Sequence, residues 1–291
     1  MSGPAGTLVV VGTPIGNLGD LSPRATNALA DATIVLCEDT RRTRKLFSAI
    51  GVKTPRLVRL DRNNEADMSA RVVATFAGEE RVVLVSDAGM PAVSDPGAEV
   101  VRAAAAAGFA ISVIPGPSAA VAAVAISGIP GNGFTFVGFL ARKGTARLEA
   151  LGRIASSPLT TVIYEAGNRV RATTVDLEAA CGPGRVYVWA RELTKVHEQV
   201  WRGTLGEAVL GFERAEVDER GEWVLLVGPN VDEVKPDVAD KQVEDLLKRA
   251  VATGSSRRSA VDEVAAATGV KRRQVYEIAL NLGEGVERLT S

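Results

Sequence analysis

Two cysteines among 291 residues, Cys37 and Cys181, build no disulfide framework and offer no metal-ligand spacing. That scarcity argues against a stapled secreted scaffold and for a reducing, cytoplasmic setting. Histidine occurs once. Nothing in the sequence supplies His197 with a nucleophile or metal co-ligands, so it reads as an ordinary polar residue on a strand, and no metal site is expected. Aromatic residues make up 4% of the chain, which leaves Ala, Val, Leu and Ile to fill the cores. The segment from Ala103 to Ala141 carries no charge at all. Pro115, Pro117 and Pro130 nevertheless cut it into pieces too short to cross a bilayer, and it reads as buried core and a domain junction. The opening "MSGPAGTLVV" lacks the basic and long apolar regions of a signal peptide, so neither export nor membrane contact is expected.

What remains is the texture of an ordinary soluble chain: 46% apolar, 24% charged, formal net charge −1, and long enough for two domains and a small third. Strand-like runs recur at Leu8 to Val11, Ile34 to Cys37, Arg56 to Leu60, Val82 to Val85 and Ile111 to Ile114. Helical patterns opened by Ser22-Pro23 and Asp95-Pro96 lie between them, so residues 1–117 are expected to form an α/β domain with a mainly parallel sheet. From Phe134 the strands come closer together, in "FTFVGFL", "LTTVIYEA", "VYVWAREL", "HEQVWRGTL" and "EWVLLVGP". A second α/β domain with a mixed sheet is expected over residues 118–232. A polar linker, "GPNVDEVKPD", then leads to three short amphipathic helices within 237–291, the last two joined at Gly269. Between Lys241 and Arg273 eight Lys or Arg stand against four Asp or Glu, a net of +4.

Several loops carry chemistry. The buried run ending at Val85 passes straight into "SDAGMPAVSDPG", an exposed shaped loop at the carboxyl end of a strand, where ligands bind in open α/β sheets. "VGTPIGNLGD" has glycines at 12, 16 and 19 rather than the dinucleotide spacing, and Pro14 removes an N–H where a phosphate would sit; taken alone it is a structural turn. "VIPGPSAAV" ends a strand at Pro115-Gly116-Pro117, with Ser118 placed to cap an Ala-rich helix whose free N–H groups suit a carboxylate. "CEDTRRTRKL" sets Glu38 and Asp39 before Arg41, Arg42, Arg44 and Lys45, either a solvated helix face or a contact for phosphates.

Taken in order, "VGTPIGNLGDLSPRA", "CEDTRRTRKL", "LVSDAGMPAVSDPG", "VIPGPSA", "FTFVGFL", "YEA" and "ARELTK" closely resemble the tetrapyrrole-methylase-like (class III) S-adenosylmethionine-dependent methyltransferases. Within them the chain is similar to the bacterial small-subunit (16S) ribosomal RNA cytidine 2′-O-methyltransferases, over essentially its whole length. The resemblance implies a two-domain tetrapyrrole methylase fold with a C-terminal helix-turn-helix-like RNA-docking module. It also implies a homodimer and S-adenosylmethionine held between the domains. Pro14, Asp87, Ala88, Gly89, Met90, Ser118, Ala119, Tyr164, Ala190 and Arg191 would then line the cofactor pocket. The substrate implied is 16S ribosomal RNA within the small ribosomal subunit.

The chain departs from the family's wording where it reads "DRNNEAD", "LARK" and "YEAGNR", which weakens any histidine base. In-line methyl transfer rests on holding the nucleophilic oxygen behind the methyl group. A ribose hydroxyl must also lose its proton. Asp39, Glu65 and Glu165 are the candidate acceptors, with Lys143 and Arg42 better suited to phosphate; for each, an ordinary salt bridge is the competing reading. A precorrin-type carbon methyltransferase, a diphthamide-synthesis methyltransferase and a non-catalytic RNA-binding protein on a methylase fold are the alternatives.

Overall fold

A computed structural model describes residues 6–61, 65, 81–131, 133–230, 238–268, 270 and 272–287. The described strands form two five-stranded sheets. In the first, β1 (Thr7–Val11), β2 (Ile34–Cys37), β3 (Arg56–Arg59), β4 (Arg81–Leu84) and β5 (Ala110–Ile114) lie in the order β3-β2-β4-β1-β5, every neighbouring pair parallel. β2 is buried along its length and β4 beyond Arg81, which is why "IVLC" and "VVL" carry no charge. One face packs Leu8, Leu36, Leu84 and Val100; the other packs Val11, Leu29, Phe47 and Val83. Each such buried side chain contributes roughly 1.5–3 kcal/mol.

Capping sets the helices. α1 (Pro23–Ala30) starts where Ser22 Oγ accepts from the Ala25 N–H at 3.1 Å, and α2 (Thr40–Ala49) starts at Asp39, which accepts from the Arg41 N–H at 2.8 Å. The helix after β4, α3 (Ala98–Ala106), begins two residues later than Asp95-Pro96 suggests, with Gly97 as its N-cap at φ +132°. The Asp95 carboxylate is occupied elsewhere, by a short hydrogen bond from Ser86 Oγ. Its place is taken at long range by Glu65, whose Oε1 accepts from the N–H groups of Gly97 and Glu99 at 2.8 Å each.

The second sheet comprises β6 (Phe134–Phe139), β7 (Thr160–Ala166), β8 (Val186–Arg191), β9 (Gln199–Thr204) and β10 (Glu222–Val227), in the order β6-β7-β10-β8-β9. Only the β6–β7 pair is parallel, so the sheet is mixed. Alternation divides its residues. Ile163, Trp189 and Leu225 pack under α5 (Thr145–Ala155), α6 (Gly167–Cys181) and α7 (Leu205–Glu213), whereas Val162, Val188, Val224 and Leu226 meet Ala120 and Ala123 of α4 (Ala119–Ser127). α7 opens with a capping box between Thr204 and Glu207.

The uncharged segment is not wholly buried. Ile111, Val113, Val121, Ile126, Phe134 and Val137 are exposed, because β5 and β6 are edge strands and α4 turns one side outward. His197 lies exposed in the turn before β9 rather than on a strand.

Residues 1–229 form one compact unit that contains both sheets, and residues 230–291 form another. In the latter, α8 (Val238–Ala252), α9 (Arg257–Thr268) and α10 (Arg272–Glu287) pack around Val243, Leu247, Val261, Val264 and Val275. Most of the expected linker, and Gly269 between the last two helices, lie outside the described residues. No helix among the described residues is long and apolar enough to cross a membrane.

Candidate active site

The connections leaving β1 and β4 run to opposite sides of the first sheet, which opens a crevice at the carboxyl ends of these two neighbouring strands. A cavity of about 810 Å³ lies there. The loop after β4 supplies Ser86 to Met90 and Val93 to Asp95; the β2–α2 turn supplies Glu38 to Arg42; β3 ends in Arg59. The second sheet closes the wall with Phe139, Tyr164 to Ala166 and Gly221 to Val224.

Backbone pairing shapes the β4 loop. Thr13 and Gly89 form an antiparallel bridge, N–H to carbonyl at 2.9 and 3.1 Å, and Thr13 Oγ1 donates to the Ser86 carbonyl at 3.2 Å. Ser86 Oγ accepts from the Ala88 N–H at 3.2 Å while bonding Asp95. This clasp spans Ala92 and Ser94, both left-handed at φ +63° and +67°, conformations that cost roughly 1–3 kcal/mol each without such support. Beneath the loops, Gly12 and Gly116 meet backbone on backbone; a Cβ on Gly12 would stand 2.6 Å from the Gly116 Cα. The glycines that follow β1 and β5 thus let two chain segments touch, next to Met90 of the cavity wall.

Asp87 links two of the loops. Its Oδ1 accepts from the Asp39 N–H at 3.1 Å, and its Oδ2 lies 3.6 Å from Arg42 Nε. Burial pushes its carboxyl above the usual range, opposed by that backbone bond and by Arg42. Asp39 goes the other way, to about 2, because Arg41 hydrogen-bonds it through side chain and backbone. Burial raises the Tyr164 hydroxyl, which accepts from the Ala120 N–H at 3.1 Å. Tyr164, rather than Ser118, therefore serves the start of α4: Ser118 stands at the N-cap but its side chain makes no capping bond.

Asp39, Arg42, Asp87, Ala88, Gly89, Met90, Ser118, Ala119 and Tyr164 are gathered on the cavity wall, as is Glu165. The Glu165 side chain points into a closed network: it accepts from Thr173 Oγ1 at 2.7 Å and the Ala166 N–H at 2.9 Å, and pairs with Arg169 at 3.2 Å. Glu65 caps α3 and Lys143 stands exposed before α5, both off the wall. Pro14, Ala190 and Arg191 also lie off it. Ala190 is packed in the core under α4, and Arg191 is held by Asp218 at 2.8 Å, the Arg220 carbonyl at 2.6 Å and the Trp223 ring. The sequence reading passed over Arg59, the last residue of its strand, and Phe139, near the end of "FTFVGFL". Among the described residues no group of three His, Cys, Asp or Glu could hold a metal ion.

Parallel and mixed sheets meeting at a cavity over glycine-rich turns define a class of methylase fold. The chain aligns with the crystal structure of the methyltransferase CobJ at a TM-score of 0.58 and 26% identity, over 78% of this chain and 95% of that one. Residues 7–209 match the model of the Tetrapyrrole (Corrin/Porphyrin) Methylases, and residues 237–283 match the RsmI C-terminal HTH domain. It is 42% identical over 277 residues to Ribosomal RNA small subunit methyltransferase I of Xylella fastidiosa, covering 95% of this chain and 99% of that protein. Its counterpart in Synechocystis is 38% identical over 277 residues, 95% of this chain and 98% of that protein. The chain belongs to the tetrapyrrole methylase family and, within it, to the ribosomal RNA small subunit methyltransferase I group.

Proposed function

We propose that this chain transfers a methyl group from S-adenosylmethionine to the ribose 2′-hydroxyl of a cytidine in 16S ribosomal RNA, acting in the cytoplasm on the small subunit. The observation that carries the reading is the 42% identity spanning 99% of the Xylella relative. S-adenosylmethionine supplies an activated methyl group when bound. Asp87 to Met90, Ser118, Ala119 and Tyr164 would hold it, since they present backbone groups, a carboxylate and a small-residue helix start on one cavity wall. Of the three candidate proton acceptors, Asp39 alone offers a wall carboxylate that is partly open, at 29% exposure against 0% for Glu165.

We also infer a homodimer. The exposed apolar side chains Ile111 and Val113 on β5, Val121 and Ile126 on α4, and Phe134 and Val137 on β6 are the kind of surface that a second subunit would cover. Residues 237–291 are assigned to RNA docking. Their nine Lys or Arg and nine Asp or Glu balance overall, but the stretch from Lys241 to Arg273 keeps an excess of +4, and Arg257, Arg258, Lys271, Arg272 and Arg273 within it are assigned to phosphate. The test is transfer of labelled methyl to 16S ribosomal RNA and to small subunits, with the modified ribose mapped, for the full chain and for a chain truncated after Asp232. Retained cofactor binding with lost RNA methylation on truncation supports docking. Methylation of a tetrapyrrole and not of RNA would defeat the reading.

A further inference from the structure

Two large apolar side chains on the cavity wall are left open to water: Phe139, 53% exposed, and Val93, 45% exposed. The exposure of Phe139 is produced by the backbone. Three residues apart on a regular strand, Phe136 and Phe139 would face opposite sides of the sheet. The β6–β7 register shifts between Phe136 and Gly138, where Gly138 takes φ +65°, and the bulge brings both rings to Tyr164. Phe136 meets it at 4.8 Å and Phe139 at 5.7 Å, both edge-on. Tyr164 is itself anchored to the Ala120 N–H, so Phe139 presents a ring with a fixed backing. Val93 belongs to the same lip: its neighbour Ser94 places Oγ 2.7 Å from where a Cβ of Gly138 would stand.

The cavity also presents guanidinium groups. Arg41 and Arg42 are 84% and 65% exposed, while the carboxylates they pair with, Asp39 and Asp87, are 29% and 18% exposed. The cationic heads thus face solvent and their acids face inward. A fixed exposed ring and exposed guanidinium groups lining one cavity are the chemistry that binds an unstacked nucleotide: the ring takes the base, and the cations take phosphate.

We propose that Phe139, with Val93, is the platform on which the base of the target nucleotide stacks, with Arg41 and Arg42 on the adjoining phosphate. The inference rests on the reading that RNA is the substrate, and it adds the residue that receives the base. A base held there is out of its stack, which brings its ribose into the cavity.

The test uses the full chain, S-adenosylmethionine and small-subunit RNA that the wild type methylates. Phe139→Ala should lower kcat/KM for RNA by roughly 5- to 150-fold, the range set by base–aromatic stacking, with S-adenosylmethionine affinity by calorimetry unchanged. Phe139→Trp should recover most of the loss, and Val93→Ala should give a smaller loss of the same kind. Cofactor affinity falling in step with RNA turnover would put the ring in the cofactor pocket, a shift to monomer would put it in a subunit interface, and unchanged RNA kinetics would leave it without a base. Each of these overturns the platform while the substrate assignment stands. Wild-type protein that binds the cofactor but methylates no RNA would remove both.

Discussion

Asp87 and Glu165 are two carboxylates at the carboxyl ends of interior strands, one in each sheet, and they are held in different ways. Asp87, with an 18% exposed side chain, accepts one backbone N–H from the neighbouring loop and faces a mostly exposed arginine at 3.6 Å. Glu165, fully enclosed, is bound by a threonine hydroxyl, a backbone N–H and Arg169. That network continues outward: Arg169 donates to the Leu140 carbonyl at 2.9 Å, and Arg147 donates to Ala141 at 3.0 Å and to Thr173 at 3.1 Å. Glu165 thereby fixes the exit of β6 beside Phe139. The acid of the first sheet stays in reach of a ligand, whereas the acid of the second is consumed in building the wall. A strand-end carboxylate becomes functional only if its lone pairs are left partly unclaimed.

The strongest way to break this contrast is Glu165→Ala. It leaves Arg169 and Thr173 without their buried partner and should cost ~3–5 kcal/mol in denaturant unfolding, while the folded fraction binds cofactor normally. A loss under ~1 kcal/mol, or a selective loss of cofactor, would make the two acids alike. Next is Gly12→Ala, which forces a methyl against the Gly116 backbone at 2.6 Å. Overpacking of this kind costs about 1–3 kcal/mol, and because the added methyl also meets Met90 of the cavity wall, cofactor affinity should fall with it.

Asp87→Ala sharpens the comparison from the other side. Cofactor affinity should weaken at least about tenfold, ~1.4 kcal/mol, with little change in apo stability. The sign follows from the raised carboxyl. Its folded form holds the proton more tightly than the unfolded chain, so apo stability decreases as pH rises from the ordinary carboxylate value through the folded one. Asp39, lowered to about 2, behaves oppositely: its contribution is present above the ordinary value and is lost as pH falls toward about 2. Wild type and Asp87→Asn compared by thermal melts across the acid range would show this; an Asp87-dependent gain in stability with rising pH contradicts it.

The strands were legible because both sheets are built from runs whose interior positions admit only apolar residues, and Ile34–Cys37 coincides with its expected bounds. The start of α1 was legible from Ser22-Pro23, a local cap before a helix-compatible proline, whereas the cap that Asp39 gives α2 was not read from the sequence. What sequence did not reveal were partners distant along the chain. Glu65 capping α3, and Tyr164 reaching Ala120 across 44 residues, depend on the assembled fold. Phe139 was hidden by a bulge, since alternation assigns it to the wrong face. Arg191 reads as a site residue from "AREL", but Asp218 and the Arg220 carbonyl hold it away from the cavity wall.

The smallest effect separates two residues that touch the same helix start. Ser118 occupies the N-cap position of α4 without a capping bond, while the Tyr164 hydroxyl accepts from the Ala120 N–H at 3.1 Å from the opposite sheet. Removing that acceptor strands a helix N–H in a partly buried place, so Tyr164→Phe should cost about 1 kcal/mol. Ser118→Ala removes no acceptor from a helix N–H, only a hydrogen bond to the Tyr164 hydroxyl, and should stay within about 0.5 kcal/mol of wild type. Since Ser118 also lies near the Tyr164 hydroxyl, the double variant should lose no more than Tyr164→Phe alone. Chemical denaturation of the three variants decides the matter: a Ser118→Ala loss equal to that of Tyr164→Phe would return the capping role to Ser118 and leave the Tyr164–Ala120 hydrogen bond without the larger share assigned to it.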